Sequence, residues 1–324
     1  RLGDAAAADL RGQQAARDAA ALSVAATAAA GYLNLRGLDA QLTLAQATLL
    51  SRDESLARAR RLFEIGYNSR LEWVQAEAEQ HNAAVAVSAL QRTIAQQENA
   101  LRLLLGDNPG AVPRGTALDD LVLPPAAAVL PSTLLRRRPD IAQAEFKVVS
   151  ADASLAAARD QLLPSLQLSA SATWQGLSLH QLLNTPYRLW SLGGSVLAPL
   201  LQGRRLQAGT EVAAAQRDQA VIAYEQTVRT AFAEVDNSLS AIASLQQQAG
   251  EAGARANAAA AALRIARNRY RNGYATYLEE LDAQRSSYAA DQVVIQLRAA
   301  LLAAYVDLYR ALGGGWGPTP LTPG

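Results

Sequence analysis

Gly66-Tyr67-Asn68-Ser69-Arg70-Leu71-Glu72 and Gly273-Tyr274-Ala275-Thr276-Tyr277-Leu278-Glu279 are two versions of one phrase, separated by an offset of 207. Ala76 returns as Ala283 and Leu105-Gly106 as Leu312-Gly313 at the same offset. A spacing held over some forty residues marks an internal duplication rather than shared composition. Each phrase lies in a long tract, about residues 4 to 105 and 204 to 312, that contains no proline and repeats its apolar residues at steps of three and four. Both tracts read as helix. Leu297, Leu301, Tyr305, Leu308 and Leu312 advance by 4, 4, 3 and 4, with Arg298, Asp307 and Arg310 between them, an amphipathic pattern suited to side-by-side packing. Upstream the match loosens, pairing Arg17-Asp18 with Arg217-Asp218 and Tyr32 with Phe232 at an offset of 200.

Composition agrees with long, thin helices. Half of the 324 residues are apolar, yet Phe, Trp and Tyr number only 3, 4 and 10. Alanine and leucine supply the rest, favouring helix and burying little area at any one place. Net charge is +1, from 30 basic and 29 acidic groups, so no global field draws the chain to nucleic acid. Absence of cysteine removes disulfides, thiolate nucleophiles and cysteine-ligated metals. The chain opens in mid-stride on Arg1-Leu2-Gly3 without methionine, so an upstream piece is expected, and any signal peptide or lipidated cysteine would lie in it. The uncharged stretch from Ala19 to Leu35 approaches a membrane span in length but is diluted by Ser23, Thr27, Gly31 and Asn34.

Between the tracts the character changes. Asp107 to Pro131 is rich in proline and glycine, making residues 106–138 an irregular connector between a first copy, 1–105, and a second, 139–313. Pro139-Asp140 starts a helix favourably and Pro164 ends it. From Leu166 the period becomes two: Leu166, Leu168, Ala170, Ala172 and Trp174 alternate with polar residues. A second alternation carries Trp190, Leu192, Gly194, Val196 and Ala198. The two predict a hairpin over 165–198, absent from the first copy. Each strand is long enough to cross a bilayer when tilted, and Trp174, Tyr187 and Trp190 gather at the loop end as an interfacial girdle would. A soluble hairpin packed on a helix would alternate in the same way. A Pro/Gly-rich tail, 314–324, follows.

The motifs now become recognisable. Arg137-Arg138-Pro139-Asp140-Ile141, Leu163-Pro164-Ser165-Leu166, Trp190-Ser191-Leu192-Gly193, and Gly273 followed by Tyr277-Leu278-Glu279-Glu280-Leu281-Asp282-Ala283-Gln284-Arg285 resemble the outer-membrane efflux protein family, the TolC and OprM type channels. The resemblance covers nearly the whole chain, in order, and includes the duplication. It implies a mainly α fold: long antiparallel coiled-coil helices form an α-barrel, and strands enter a trimeric transmembrane β-barrel. It further implies an exit duct in the outer membrane of a Gram-negative cell, extending into the periplasm. Its partners would be two further copies, a periplasmic adaptor, an inner-membrane pump of the resistance-nodulation-division or a related type, and outer-membrane lipid. The family's barrel takes four strands per subunit, and two are legible here, which reads as a fragment of that architecture.

By the same resemblance, Gly66, Tyr67, Asn68 and Ser69 and their copy Gly273, Tyr274, Ala275 and Thr276 are periplasmic tips that dock the adaptor. Glycine at the head of each allows the positive φ of a reversal, a sufficient local reason for it. Beyond the tips, Glu279 and Asp282 share a helix face and would form stacked acidic rings in a trimer, with Glu72 nearby. They occupy positions of gate aspartates, and Tyr270 that of a gate tyrosine. Where some members carry an arginine two residues after the tip glycine, Ala275 stands here, so the resemblance implies a closed state short of one inter-helix ion pair. On their own the carboxylates would read as a solvated helix face.

Catalysis finds no support, and neither a cofactor nor a metal is expected. His81 and His180 lie far apart without ligand spacing or a nucleophile motif. Gly313-Gly314-Gly315 is a helix stop, and Arg136-Arg137-Arg138, lacking interleaved aromatics, is a solvated connector rather than a nucleic-acid patch. Two functions remain: a passive duct, or a soluble coiled-coil scaffold or periplasmic adaptor whose strands never meet lipid. Leu166, Leu168, Trp174, Trp190, Leu192 and Val196 discriminate them: they face either lipid or a packed helix.

Overall fold

The computed structural model describes residues 1–122, 137–174, 188–199 and 202–314. In chain order run α1 (Leu2–Glu64), α2 (Arg70–Leu104), α3 (Pro139–Asp160), β1 (Ser165–Trp174), β2 (Arg188–Leu197), α4 (Gly203–Arg271) and α5 (Tyr277–Ala311). The fold is mainly α, as expected. With 69 residues, α4 is about 100 Å long at 1.5 Å per residue. Two compact units divide the chain, Arg1–Arg17 with Pro139–Arg229, and Asp18–Arg138 with Thr230–Gly324.

In the first unit the alanine-rich composition has a direct consequence. Ala5, Ala8, Gly12 and Ala15, at steps of three, four and three, form the buried side of α1. A Cβ added to Gly12 would stand 3.6 Å from the Phe146 Cβ on α3, so small residues are what allow this close helix contact. Arg217 of α4 pairs with Asp152 of α3 at 3.0 Å. Strands β1 and β2 pair antiparallel, with Leu166 opposite Val196, Leu168 opposite Gly194, Ala170 opposite Leu192 and Ala172 opposite Trp190. Directly opposed residues share a face, so the apolar side chains form one surface. Ser171 and Ser191 meet at 2.9 Å on the other. Tyr187 and the side chain of Trp174, both expected in the aromatic girdle, lie outside the described residues.

In the second unit the duplication is visible as packing. Leu35, Leu38, Ile94 and Leu101 hold α1 to α2, while Ile242, Leu245, Leu301 and Leu308 hold α4 to α5. These are the same positions at an offset of 207. The core therefore keeps 207 as far up as Leu35 and Ile242, and the offset of 200 does not describe it there. The two offsets differ by seven residues, close to two helical turns, which leaves the inward face unchanged and lets similar residues recur at either spacing. Helix α5 is long and apolar enough to cross a membrane, with mean hydropathy 1.3, but Leu301, Leu302, Tyr305 and Leu308 are buried in protein.

The described part of the connector is pinned. Arg114 binds Asp39 of α1 at 3.0 Å and also Glu98 of α2, while the Gly115 N–H donates to the Tyr32 hydroxyl at 2.8 Å. One expectation is corrected here. Arg138 is not solvated: its guanidinium is buried, pairs with Glu234 at 2.8 Å and donates to the Ala311 carbonyl at 3.0 Å. The carbonyls at the end of α5 lack partners within the helix, and an arginine supplies one. Arg137 is exposed, and Arg136 lies outside the described residues.

Candidate functional site

Each reversal is built by the same chemistry. Gly66 and Gly273 take φ of 78° and 76°. The Gly66 N–H donates to the Phe63 carbonyl at 2.9 Å and the Tyr67 N–H to the Leu62 carbonyl at 2.8 Å. At the copy, Gly273 donates to Tyr270 at 3.0 Å and Tyr274 to Arg269 at 2.8 Å. This pair of bonds closes a helix around a left-handed glycine. The next helix then starts on a cap: Ser69 and Thr276, both extended, accept from the N–H of Glu72 and Glu279 at 3.4 Å. Glu72 and Glu279 thus stand in the first turn of α2 and α5, where a carboxylate meets the positive helix end. The tips leave Tyr67 81% and Tyr274 77% exposed.

The gate residues expected from sequence divide into two groups. Tyr270 and Glu72 come together: the Tyr270 hydroxyl donates to a Glu72 carboxylate oxygen at 3.3 Å and accepts from the Asn68 amide at 3.1 Å. Burial, reinforced by the negative charge of Glu72, pushes the Tyr270 phenol up to about 12. It is therefore a neutral donor throughout the ordinary pH range. Glu72 thus has a partner in its own chain. Glu279 and Asp282 instead lie on the exposed side of α5, with Glu279 at 3.8 Å from Arg269. Ala275 provides no cation, and α4 supplies two: Arg269, and Arg267, at 3.4 Å from Glu280.

On the inner side of the same turn is a group not anticipated from sequence. Ala59, Ala76, Tyr277 and Leu281 form an apolar cluster with Leu56 and Tyr270. Beside it Arg52, Glu79, Glu280 and Gln284 are buried. Arg52 donates to the Gln284 side-chain carbonyl and lies 3.8 Å from Glu79, which also binds Arg285. The Gln284 amide donates to Glu280 at 2.9 Å. Burial pushes the Arg52 guanidinium down from its ordinary value, opposed by Glu79. A signal existed in sequence: Glu280 and Gln284 fall four apart on the face that also carries Tyr277 and Leu281.

The hairpin face supplies the second candidate surface. Leu166, Leu168, Trp190, Leu192 and Val196 are 69% to 75% exposed. Helix cover over that face, the alternative left open by its alternation, is not what the exposure describes. His81 is exposed on α2, and His180 lies outside the described residues. Among the described residues no group of three or more His, Asp or Glu is placed to hold a metal ion.

Comparison with known proteins gives the same picture. The family described as "Outer membrane efflux protein" matches residues 2–107 and 130–314. Outer membrane protein OprJ of Pseudomonas aeruginosa is 35% identical over 309 residues, covering 95% of this chain and 64% of that protein. The probable efflux pump outer membrane protein TtgC of Pseudomonas putida is 34% identical over 302 residues, covering 93% and 62%. Among solved structures, a membrane protein from Pseudomonas aeruginosa superposes with a TM-score of 0.90 at 33% identity, covering 96% of this chain and 73% of that one. The open-state MtrE outer membrane channel of Neisseria gonorrhoeae gives 0.87 at 31%, covering 97% and 71%. The chain spans just under two thirds of the length of the curated relatives, at 64% and 62%. With a match over most of its residues, two helix pairs packed at one offset and a strand hairpin preceding the second pair in the sequence, the chain belongs to the outer membrane efflux protein family.

Proposed function

We propose that the chain forms part of the exit duct of a tripartite efflux system in the outer membrane of a Gram-negative cell. Residues 1–105 and 139–313 are its two repeats, joined by the connector 106–138. Three copies surround one channel; the hairpins enter a shared β-barrel in lipid, and the helices line a duct in the periplasm. The duct catalyses no reaction and needs no cofactor or nucleic acid. Substrates move down gradients set by an inner-membrane pump of the resistance-nodulation-division or a related type. A periplasmic adaptor docks at Gly66, Tyr67, Asn68 and Ser69 and at Gly273, Tyr274, Ala275 and Thr276.

The observation that carries this reading is the uncovered apolar face of the hairpin, 69% to 75% exposed over five large side chains. In water that surface would cost roughly 25 cal/mol per Å², and lipid removes the cost. Glu279 and Asp282 face away from the packed side of α5 and would ring the channel. Tyr270 and Glu72 tie the two tips of each chain together. Light scattering of purified protein tests the assembly: a trimer mass in detergent is expected, and a stable monomer in detergent would contradict it. Bilayer recordings test the gate. Replacing Glu279 and Asp282 together by alanine is expected to lower cation selectivity several-fold or raise basal conductance, since acidic rings favour cations and repel one another. Unchanged currents would remove both residues from the gate.

A further inference from the structure

Seven residues past Gln284, about 10 Å along α5 at 1.5 Å per residue, stands a carboxyl that nothing answers. Asp291 is partly buried, and among the described residues no group bonds to it or pairs with it. Burial raises it above the ordinary carboxylate range, and no neighbouring cation opposes the shift. Such a group weakens the fold, and helix pairing does not ask for it: at the offset of 207 its counterpart on α2 is Ala84, in a helix that packs on its own partner without a carboxyl there. A carboxyl kept in this position, inside a cleft, points to a ligand rather than to packing.

Asp291 lines a cavity of about 190 Å³ between α1, α4 and α5. Leu44 and Ala47 of α1 and Leu263 of α4 give it an apolar wall, and Tyr288 adds a ring one turn before Asp291. The two guanidiniums of the lining, Arg52 and Arg267, belong to the Gln284 end and are already matched, Arg52 by Glu79 and Gln284, Arg267 by Glu280 at 3.4 Å. The charge left unanswered is therefore negative, and it sits beside an aromatic ring and aliphatic carbon. An apolar cavity of about 150 Å³ holds benzene, so this one has room for a benzene ring and a short chain. A protonated amine on that chain meets the remaining requirement: its ammonium pairs with the carboxylate, and the face of Tyr288 attracts a cation.

We propose that the cavity between α1, α4 and α5 binds an arylalkylamine, with the ammonium on Asp291 and the aromatic ring against Leu44 and Leu263. A single chain walls the cavity, so the site depends neither on the trimer nor on lipid. It is also separate from the acidic pair beside the tip, since Asp282 lies on the exposed side of α5 more than two turns earlier.

Absence of cysteine makes Thr48→Cys, in the cavity lining, the sole thiol of the full chain. The Thr48 hydroxyl donates within its own helix, to the Leu44 carbonyl at 2.8 Å, so the exchange leaves the packing between helices in place. In detergent at neutral pH, where an alkylamine is protonated, phenethylamine should slow modification of that thiol by a methanethiosulfonate reagent several-fold. Phenethyl alcohol and phenylacetate, the same ring with a neutral or an anionic end, should not. Phenethylamine should also raise the melting temperature, because it binds the folded chain. Asp291→Asn keeps the shape of the side chain and removes its charge. It should abolish both effects while itself raising the melting temperature, so that loss of binding is not loss of fold. Equal protection by phenethyl alcohol would mean apolar partition without a role for the carboxylate, protection by phenylacetate would assign the cavity to an anion at Arg267, and protection surviving in Asp291→Asn would put the amine elsewhere. Each of these outcomes, like the absence of any protection, would overturn the proposal.

Discussion

Glu72 and Glu279 share one local role, and Glu72 has a second. As first-turn carboxylates beside Ser69 and Thr276 they favour the start of α2 and α5, a role any helix could ask of them. Only Glu72 adds a bond to a second hairpin, through Tyr270. The raised phenol gives a test: the protonated form is favoured by folding, so its contribution is complete below pH 10 and lost as pH rises toward about 12. Absorbance titration should show tyrosinate appearing near pH 12 that Tyr270→Phe removes; an unaltered curve would place the bond elsewhere. Asp291 on α5 gives the opposite kind of case. Burial raises its carboxyl above the ordinary value, so ionisation opposes folding, and the penalty appears as pH rises through the raised value. Asp291→Asn should therefore raise the melting temperature at pH 7 and leave it unchanged below about pH 3.8, the ordinary value for an aspartate.

At the scale of elements, four helix ends close on left-handed glycines, but the glycines are not equally replaceable. Gly106, at φ 76°, has open space where a Cβ would go; at Gly313, with φ 87°, that Cβ would stand 2.9 Å from the backbone of Arg137. Gly106→Ala is expected to cost about 1 kcal/mol and Gly313→Ala about 3 kcal/mol, measured by chemical denaturation. Equal costs would mean that the Arg137 backbone yields freely. The helices, their glycine ends and the hairpin were legible in sequence because each rests on a local rule: a step of three or four, a period of two, a residue that tolerates positive φ. Leu35 and Ile242 were legible as members of a pattern, though their equivalence at 207 needed packing to separate it from 200. Arg52 and Arg138 were not legible, since an arginine on a polar-looking face is ordinarily solvated. Their burial depends on Glu79, Gln284 and Glu234, which lie far along the chain.

For the whole molecule, the question is what covers the hairpin. The helices carry their own cores, Leu35 with Ile94 and Ile242 with Leu301, so their pairing does not depend on a membrane. Leu166, Leu168, Trp190, Leu192 and Val196 have no such cover, and an antiparallel pair alone is marginal in water. The proposed function puts this face in lipid. Trp190 reports on it directly. In a variant with Trp73, Trp174 and Trp316 replaced by phenylalanine, reconstituted in vesicles, fluorescence should be quenched by nitroxide-bearing lipids and spared by aqueous iodide. Quenching by iodide without quenching by the lipids would put the hairpin in water and contradict the outer-membrane duct.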